Sequence, residues 1–399
     1  MPLPVPDEAA LRHSRALEDR IVAEIADAGG WISFSRYMEL ALYAPGLGYY
    51  SGGAAKFGGA GDFVTAPEIS PLFGWALARQ AAQILESLPN GGDLLEFGAG
   101  TGRLACDLLS GLEELDALPG RYCILELSGE LRQRQRQSLE RLAPALASRV
   151  EWLDRLPDAF EGLMLANEVL DAMPVHRVVW RNAGLFERGV AAGAPGSGAF
   201  AWSDRLLQDG ALFEAARQLI PFVGPGGPDE ASDHVSEIGL AARGFVASAA
   251  RVLRRGVLLL IDYGFGRSEY YHPQRTQGTL MCHYRHHAHD DPFHLPGLQD
   301  ITAHVDFSAV TDAAAGAGLD LLGYTTQAHF LVGCGIAARL ARTPVERAAE
   351  YLPLANQLQT LVSPAEMGEL FKAIAFGRDV SGPLIGFAGF GGSDRSRQL

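Results

Sequence analysis

The chain has 399 residues, 48% of them hydrophobic and 20% charged, so it is long and apolar enough for a large buried core and is not a disordered protein. Its formal net charge of −14 makes it a poor nonspecific binder of nucleic acid or of anionic membranes, because phosphates must be met by Lys and Arg. The same charge favours neutral or basic partners, such as arginine-rich protein segments.

Cysteine usage and the N-terminus indicate a cytoplasmic protein. No two cysteines have C-x-x-C spacing, and we predict that all four are reduced structural thiols: Cys106, Cys123, Cys282 and Cys334. No apolar run of about 18 residues predicts a membrane span. The first 20 residues lack the apolar core of a secretory signal, and their acidic side chains argue against a mitochondrial transit peptide.

Residues 1–88 are predicted to form an N-terminal helical segment with one lid loop. Apolar residues at helical spacing predict helices over 7–28, 33–43 and 70–88. A glycine-rich loop, 46–61, separates the second helix from the third. We expect this loop to close over a ligand site, because many glycines leave few contacts to order it.

Residues 89–345 are predicted to be the core of the protein, in which strands and helices alternate. Strands are expected at 93–97, 122–127, 162–166 and 256–263. Helices are expected at 103–112, 130–142 and 238–253. This order predicts an α/β fold with a doubly wound, mostly parallel, Rossmann-like sheet.

Two insertions, near 176–235 and 264–305, depart from a minimal sheet. Strands 176–180 and 185–190 flank Asn182-Ala183-Gly184 and predict a hairpin within the first insertion. A second hairpin is expected from 319–324 and 329–332. Residues 346–399 are predicted to be a C-terminal segment packed on the core.

The strongest functional signal is the run E-F-G-A-G-T-G-R, which joins the first predicted strand of the core to a helix. Glycine permits positive φ and close approach of a ligand, and a helix start presents unpaired amides. Dinucleotide enzymes prefer G-x-G-x-x-G, which would need Gly or Ala in place of Arg103. An acid two residues before the first of three alternating glycines is instead typical of S-adenosylmethionine methyltransferases. The residues are Glu96, Gly98, Gly100 and Gly102.

Glu126 supports the same cofactor. It lies at the carboxyl end of the second predicted strand, where a carboxylate can accept hydrogen bonds from both ribose hydroxyls. Each charge-assisted contact of this kind is worth about 1.5–3 kcal/mol. The alternatives have no ligand: Glu126 would be a solvated glutamate at the end of a strand, and the glycine run would be a tight turn that binds nothing.

Acidic and amide side chains follow the third predicted strand. Ligands of open α/β sheets bind outside the carboxyl ends of strands, so Asn167, Glu168 and Asp171 are candidate catalytic residues beside the methyl acceptor. Carboxylates could hold the fork of a guanidinium and withdraw a proton during transfer. Alternatively, Asn167 and Asp171 cap a turn and Glu168 is solvated.

A histidine-rich segment, C-H-Y-R-H-H-A-H-D-D-P-F-H, lies in the second insertion. Histidine clusters can bind metals, but no H-E-x-x-H motif is present. We therefore predict no metal site and interpret the segment as a loop that folds over the active site.

Eight segments, in order, resemble those of the MidA family of class I methyltransferases, the bacterial relatives of a mitochondrial complex I assembly factor that methylates an arginine of a complex I subunit. The resemblance spans nearly the whole chain. The segments are SRYMELALYAPGLGYY, GDFVTAPEISPLFG, LLEFGAGTGRLA, YCILELS, ANEVLDAMPVHR, LLIDYG, PGLQDITAHVDFS and PAEMGELFKA.

The resemblance implies an S-adenosyl-L-methionine-dependent protein arginine methyltransferase whose N-terminal segment packs on the cofactor cleft. It adds residues bordering the cofactor site, namely Asp62, Thr65, Pro67 and Glu68. It also adds residues from the family block after the fourth strand, namely Asp262, Tyr263, His287, Asp300, Thr302 and Asp306. The implied partner is a protein with an exposed arginine, a respiratory complex subunit. The alternatives are a small-molecule methyltransferase and an assembly chaperone that keeps the cofactor fold without catalysis.

Overall fold

The computed structural model describes residues 3–52, 64–194, 196, 198–223, 233–380, 382–388 and 394–399. The chain forms two compact units and passes between them several times. The first unit comprises Met1–Phe63, Asp171–Gly244 and Phe265–Ser308. The second comprises Val64–Leu170, Phe245–Gly264 and Ala309–Leu399.

The helices and strands have the following bounds. The α-helices are α1 (Glu8–Asp27), α2 (Phe34–Tyr43), α3 (Ala66–Ile69), α4 (Pro71–Glu86), α5 (Arg103–Glu114), α6 (Gly129–Leu142), α7 (Gly210–Gln218), α8 (Ile220–Val223), α9 (Leu240–Val252), α10 (Arg267–Tyr270), α11 (Phe307–Gly316), α12 (Gln327–Gly333), α13 (Ile336–Leu340), α14 (Ala348–Val362) and α15 (Met367–Leu370). The strands are β1 (Ile32–Ser33), β2 (Asp93–Phe97), β3 (Tyr122–Leu125), β4 (Val150–Leu153), β5 (Phe160–Asn167), β6 (His176–Arg181), β7 (Gly184–Ala192), β8 (Phe200–Leu206), β9 (His234–Ile238), β10 (Leu253–Phe265), β11 (Met281–Tyr284), β12 (His287–His289), β13 (Asp300–Thr302), β14 (Val305–Asp306), β15 (Asp320–Thr326) and β16 (Phe371–Arg378).

The second unit is built on a mostly parallel sheet in the order β15-β16-β10-β5-β2-β3-β4. Strands β10, β5, β2, β3 and β4 run parallel, and β16 runs antiparallel to both β10 and β15. The central strands are buried and mostly apolar on both faces, as a sheet covered on both sides requires. Leu94, Tyr122 and Leu163 pack with α4 and α5 residues such as Leu77 and Leu108 in one core. This arrangement confirms the predicted doubly wound α/β fold.

The first unit contains the N-terminal helices and both insertions. Its larger sheet runs in the order β1-β7-β6-β9, with β8 paired to β7, and β12-β11-β13 form a small second sheet. Helix α1 begins where the Asp7 side chain accepts a hydrogen bond from Ala10 N, and it buries Leu17, Ile21 and Ile25. These apolar residues share a cluster with α2, so helical periodicity correctly predicted the buried face.

Every predicted helix, and every predicted strand but one, matches an element to within a few residues, including the predicted hairpin, which is β6–β7. The second predicted hairpin is wrong. Residues 329–332 lie in α12, because the Thr326 hydroxyl accepts a hydrogen bond from His329 N and begins a helix there. The partner of β15 is β16, from the C-terminal segment. No helix in the described ranges combines the length and apolarity needed to cross a bilayer.

Candidate cofactor and acceptor site

The sheet of the second unit brings the predicted site segments to one edge. Phe97 of β2 pairs with both Leu125 of β3 and Ala166 of β5, so these parallel strands end level with one another. From β2 the chain continues to β3 on one side, whereas β5 lies on the other side. This strand order makes the gap between β2 and β5 a topological switch point, where open α/β sheets bind ligands.

The glycine loop occupies that switch point. Gly98, Gly100 and Gly102 have φ of +62°, +52° and +82°, a region that favours glycine. A Cβ atom built on Gly98 would lie 2.9 Å from Val169 Cγ2, whereas one on Gly100 meets no atom within 4 Å. Gly100 therefore faces open space that a ligand can enter. Gly102 caps the 12-residue helix α5 without a side chain, so backbone amides begin the helix beside this space.

Glu96 points into the core rather than along the loop. It shares a face of β2 with buried Leu94, is only 2% exposed, and its Oε2 accepts a hydrogen bond of 2.7 Å from Tyr122 Oη. Burial raises the pKa of the Glu96 carboxyl to about 7, and the Tyr122 bond opposes this shift. The acid before the glycines thus lies beneath the loop as a carboxyl group whose charged form is disfavoured.

Glu126 immediately follows β3, at the level of Gly98. Its Oε1 accepts from Ser128 N at 2.9 Å, and its Oε2 accepts from Gln135 Nε2 at 3.1 Å. Burial raises the pKa of this carboxyl, and the Ser128 and Gln135 bonds counter the increase. The Glu126 carboxylate is therefore held in one orientation by the protein, whereas the alternative considered from the sequence was a solvated side chain.

Glu168 begins a strained turn at the end of β5. Its φ is +53°, a left-handed conformation that is uncommon for a residue with a side chain. Its backbone N donates to Ile261 O at 2.8 Å, and its Oε1 accepts from Ala66 N at 3.2 Å and from Asn167 Nδ2 at 3.1 Å. The conformation is thus imposed by contacts with β10, α3 and the preceding residue.

Asn167 contributes a further hydrogen-bond acceptor at this edge. Its Oδ1 is buried and, within the described ranges, has no hydrogen-bond partner. A buried, unpaired acceptor is unfavourable and is commonly satisfied by a ligand or by water. This unpaired oxygen and the open space at Gly100 are the features of this edge that a bound ligand could fill.

Asp262, at the end of β10, holds the turn that carries Glu168. It is fully buried, and its Oδ2 accepts from Val169 N at 3.2 Å and from Leu170 N at 2.9 Å. Its Oδ1 accepts from Tyr263 N at 2.9 Å. The resemblance included Asp262, and its contacts show what it does: it fixes the backbone of the turn.

Helix α3 contacts the glycine loop on the other side. The Thr101 hydroxyl donates to Glu68 Oε1, and Pro67 is buried in the first turn, after Thr65. The structure therefore places Thr65, Pro67 and Glu68 next to the loop. Asp62 and most of the predicted lid, residues 53–61, lie outside the described residues.

The remaining predicted residues belong to the first unit. Asp171 is 7% exposed, and its carbonyl oxygen accepts from Ala303 N at 3.0 Å. Asp300 accepts from Tyr50 Oη at 2.9 Å, and Tyr50 has a raised pKa because of burial and of the Asp300 charge. Thr302 is buried in β13, Asp306 lies in β14, and His287 Nδ1 is 2.7 Å from Arg285 O.

The histidine-rich segment is a sheet rather than an irregular loop. Strands β11 and β12 pair antiparallel across Arg285 and His286, which have φ of +48° and +63°. Two successive positive φ values are the mark of a type I′ hairpin turn. The described residues contain no group of three or more His, Cys, Asp or Glu placed to hold a metal ion. All four cysteines are buried free thiols.

Sequence reasoning missed three residues that support the site: Tyr122, Gln135 and Trp152. Gln135 gave a usable signal, because it occupies a position on α6 that helical spacing from Leu139 assigns to the buried face. A polar residue there must find partners inside the protein. Tyr122 looked like an ordinary apolar strand residue, and the strand that carries Trp152 was not predicted, so only the fold reveals the polar contacts of both.

Comparisons with known proteins agree with this geometry. The model of a family described as S-adenosyl-L-methionine-dependent methyltransferases matches residues 76–325. Protein arginine methyltransferase NDUFAF7 of Danio rerio is 30% identical, over 86% of this chain and 83% of that protein. The Homo sapiens protein of the same name is 29% identical, over 87% of this chain and 80% of the human protein.

Two solved structures from Burkholderia thailandensis cover this chain and their own chains completely. One, bound to S-adenosyl-homocysteine, is 54% identical with a TM-score of 0.92. The other, a native crystal structure, is 53% identical with a TM-score of 0.89. With its glycine loop at the switch point of the sheet, the chain belongs to the MidA-like family of S-adenosyl-L-methionine-dependent methyltransferases, and S-adenosyl-L-methionine is its cofactor.

Proposed function

We propose that this methyltransferase modifies an arginine side chain of a protein substrate. The observation that carries the proposal is Glu168, a carboxylate held in a strained left-handed turn at the edge where the glycine loop lies. Backbone strain in a residue with a side chain persists only where surrounding contacts enforce it, and such positions cluster at active sites. The relatives named protein arginine methyltransferases support the same acceptor.

In this proposal the cofactor is held by residues of the second unit. The loop admits it at Gly100, Gly98 and Gly102 supply the positive φ that the loop needs, and the start of α5 faces its carboxylate. Glu126 accepts hydrogen bonds from the ribose hydroxyls, and Glu96 supports the loop from beneath. By resemblance to the family, the residues bordering the cofactor are Asp62, Thr65, Pro67 and Glu68. The cofactor supplies the methyl group as an electrophile.

The acceptor side is formed by Asn167 and Glu168. A guanidinium has five N–H donors and no acceptor, so it matches the unpaired Asn167 Oδ1 and the Glu168 carboxylate. An arginine nitrogen that forms a new C–N bond must lose a proton, and we propose that Glu168 accepts it. Asp171, three residues further along the chain, belongs to the first unit, and its role as a second carboxylate stays a prediction from the sequence. The family resemblance suggests a respiratory complex subunit as the substrate.

The test compares Glu168→Gln with a matched control, Glu161→Gln, which changes an exposed glutamate at the other end of β5. Each protein is incubated with methyl-labelled cofactor and a lysate from a strain that lacks the gene, and labelled residues are identified by mass spectrometry. We expect methylarginine with wild type and control. Glu168→Gln should bind cofactor normally but lose about 10²-fold or more in rate, the range for lost acid–base help.

Two outcomes would contradict the proposal. Label found only in small molecules would favour the small-molecule alternative, and no transfer by wild-type protein that binds cofactor would favour an assembly chaperone. If Glu168→Gln methylates arginine at the wild-type rate, the role of Glu168 is wrong although the arginine acceptor is retained.

A further inference from the structure

Gln135 is a buried amide in the middle of α6 with every polar group in use. It is fully buried, and its Nε2 donates to Glu126 Oε2 and to Gly100 O, both at 3.1 Å. Its Oε1 accepts from Trp152 Nε1 at 2.8 Å. One side chain thus joins the end of β3, the glycine loop and β4.

The chemistry of these partners fixes the orientation of the amide. An indole N–H can only donate and a backbone carbonyl can only accept, so Oε1 must face Trp152 and Nε2 must face Gly100. The Trp152 ring is itself covered by the Arg136 guanidinium, whose Cζ lies 4.7 Å from the ring centroid. With the amide fixed, Nε2 has one proton for Gly100 and one for Glu126.

This arrangement fixes the Glu126 carboxylate in one orientation before a ligand binds. A carboxylate offers about four acceptor positions. Ser128 N bonds to Oε1, Gln135 Nε2 bonds to Oε2, and the backbone of Leu127 also bonds to the carboxylate, so the protein holds both oxygens. The acceptor capacity that remains is available to a ligand hydroxyl, which is the group that the proposed ribose role supplies.

Gln135 also sets the spacing between α6 and the glycine loop. A Cβ atom built on Gly102 would lie 3.0 Å from Gln135 Cα and 3.3 Å from its Cβ. The loop therefore rests on this part of the helix, and the Gly100 bond prevents the two from moving independently.

We propose that Gln135 is a positioning residue that couples the glycine loop to Glu126, so that selection for the cofactor's ribose hydroxyls depends on it. The inference rests on the proposed ribose role of Glu126. Gln135 does not itself touch the cofactor. Without it, Glu126 loses its side-chain partner on Oε2 and turns away from the geometry that the ribose hydroxyls require.

The experiment measures the dissociation constants of S-adenosyl-homocysteine and its 2′-deoxy analogue by calorimetry. The variants are Gln135→Met, which fills a similar volume without hydrogen bonds, and Trp152→Phe, which removes the donor that fixes the amide. The matched control is Gln137→Met, which changes an exposed glutamine of the same helix. The informative quantity is the ratio of the two constants, because a general loss of structure weakens both ligands alike.

We expect wild type and Gln137→Met to prefer the natural ligand by about tenfold or more, the value of a charge-assisted hydrogen bond. In Gln135→Met the preference should fall below about threefold, and Trp152→Phe should lie between. An unchanged ratio in Gln135→Met overturns the proposal. If that variant does not fold, an unchanged ratio in Trp152→Phe overturns it. If wild type does not prefer S-adenosyl-homocysteine over the 2′-deoxy analogue, the ribose role of Glu126 is wrong, and the inference about Gln135 is wrong with it. That outcome is seen in the wild-type protein alone, so it is distinguishable from a failure of the Gln135 proposal.

Discussion

The buried carboxyl of Glu96 should make stability depend on pH in a way that one substitution removes. Its pKa is about 7 in the folded protein against an ordinary value of 4.5, chiefly because burial disfavours the charged form. Glu96→Gln keeps an acceptor for Tyr122 Oη and a similar volume, but it cannot titrate. The difference in the free energy of unfolding between wild type and Glu96→Gln therefore reports the titration of Glu96 alone.

The expected size follows from the interval between the two pKa values. Below about pH 4.5 the group is protonated in both folded and unfolded protein, and its contribution to stability is fully present. As the pH rises towards 7, the unfolded chain releases the proton while the folded protein retains it, so wild type is progressively destabilised. At about 1.4 kcal/mol per pH unit, the loss amounts to about 3 kcal/mol and is complete above about pH 7.

The assay is urea unfolding of wild type and Glu96→Gln, without cofactor, at intervals from pH 5 to pH 8. The glutamine variant should become the more stable protein as pH rises, by up to about 3 kcal/mol. Glu140→Gln, at an exposed position of α6, serves as the control and should follow wild type at every pH. If the free energies of unfolding of wild type and Glu96→Gln differ by the same amount at every pH from 5 to 8, the reasoning is refuted.

Three further substitutions test other parts of the site. Gly98→Val should abolish cofactor binding in a folded protein, because it needs a φ of +62° and clashes with Val169; unchanged affinity in calorimetry would contradict this. Glu126→Ala should weaken cofactor binding by about 1–3 kcal/mol, and equal titration curves would count against its ribose role. Asp262→Asn should expose the Val169 and Leu170 amides to faster hydrogen exchange and lower stability by about 2–3 kcal/mol, because the new NH₂ group opposes an amide donor. Unchanged protection would mean that Asp262 does not hold the turn.

Local patterns were sufficient for much of the fold. Helices α1 and α5 were predictable because their apolar residues recur at helical spacing and their boundaries carry Asp7 or glycine. Four parallel core strands, β2, β3, β5 and β10, were predictable because they are apolar runs next to glycine or proline, whereas β4 was missed. Strand β16 was also missed, because its pairing with β10 and β15 depends on segments far away in the chain. The apolar run His329–Val332 resembles a strand, and only the capping hydroxyl of Thr326 distinguishes it as a helix.

The sequence predicted where the candidate site residues lie in the fold. The glycine loop, Glu126 and the acids after β5 do follow the ends of neighbouring parallel strands, because strand ends and glycine spacing are visible in local sequence, while their roles stay predictions. The left-handed turn at Glu168 was not visible, because contacts with Ile261 and Ala66, distant in sequence, impose it. The core-facing direction of Glu96 was missed for a similar reason, since a motif gives the residue type and the strand register decides which way it points.

The late position of β16 in the chain has a consequence for synthesis of the protein on the ribosome. Its partner β10 is synthesised about 110 residues earlier. It carries Val257–Ile261, which are all buried in the folded sheet. At translation rates of about 5–20 residues per second, β10 is exposed for about 5–20 s with one hydrogen-bonding edge unfilled. An apolar strand with an open edge pairs readily with other chains. The nascent chain is therefore most vulnerable to aggregation in this interval, and chaperones that cover extended apolar segments should act on it there.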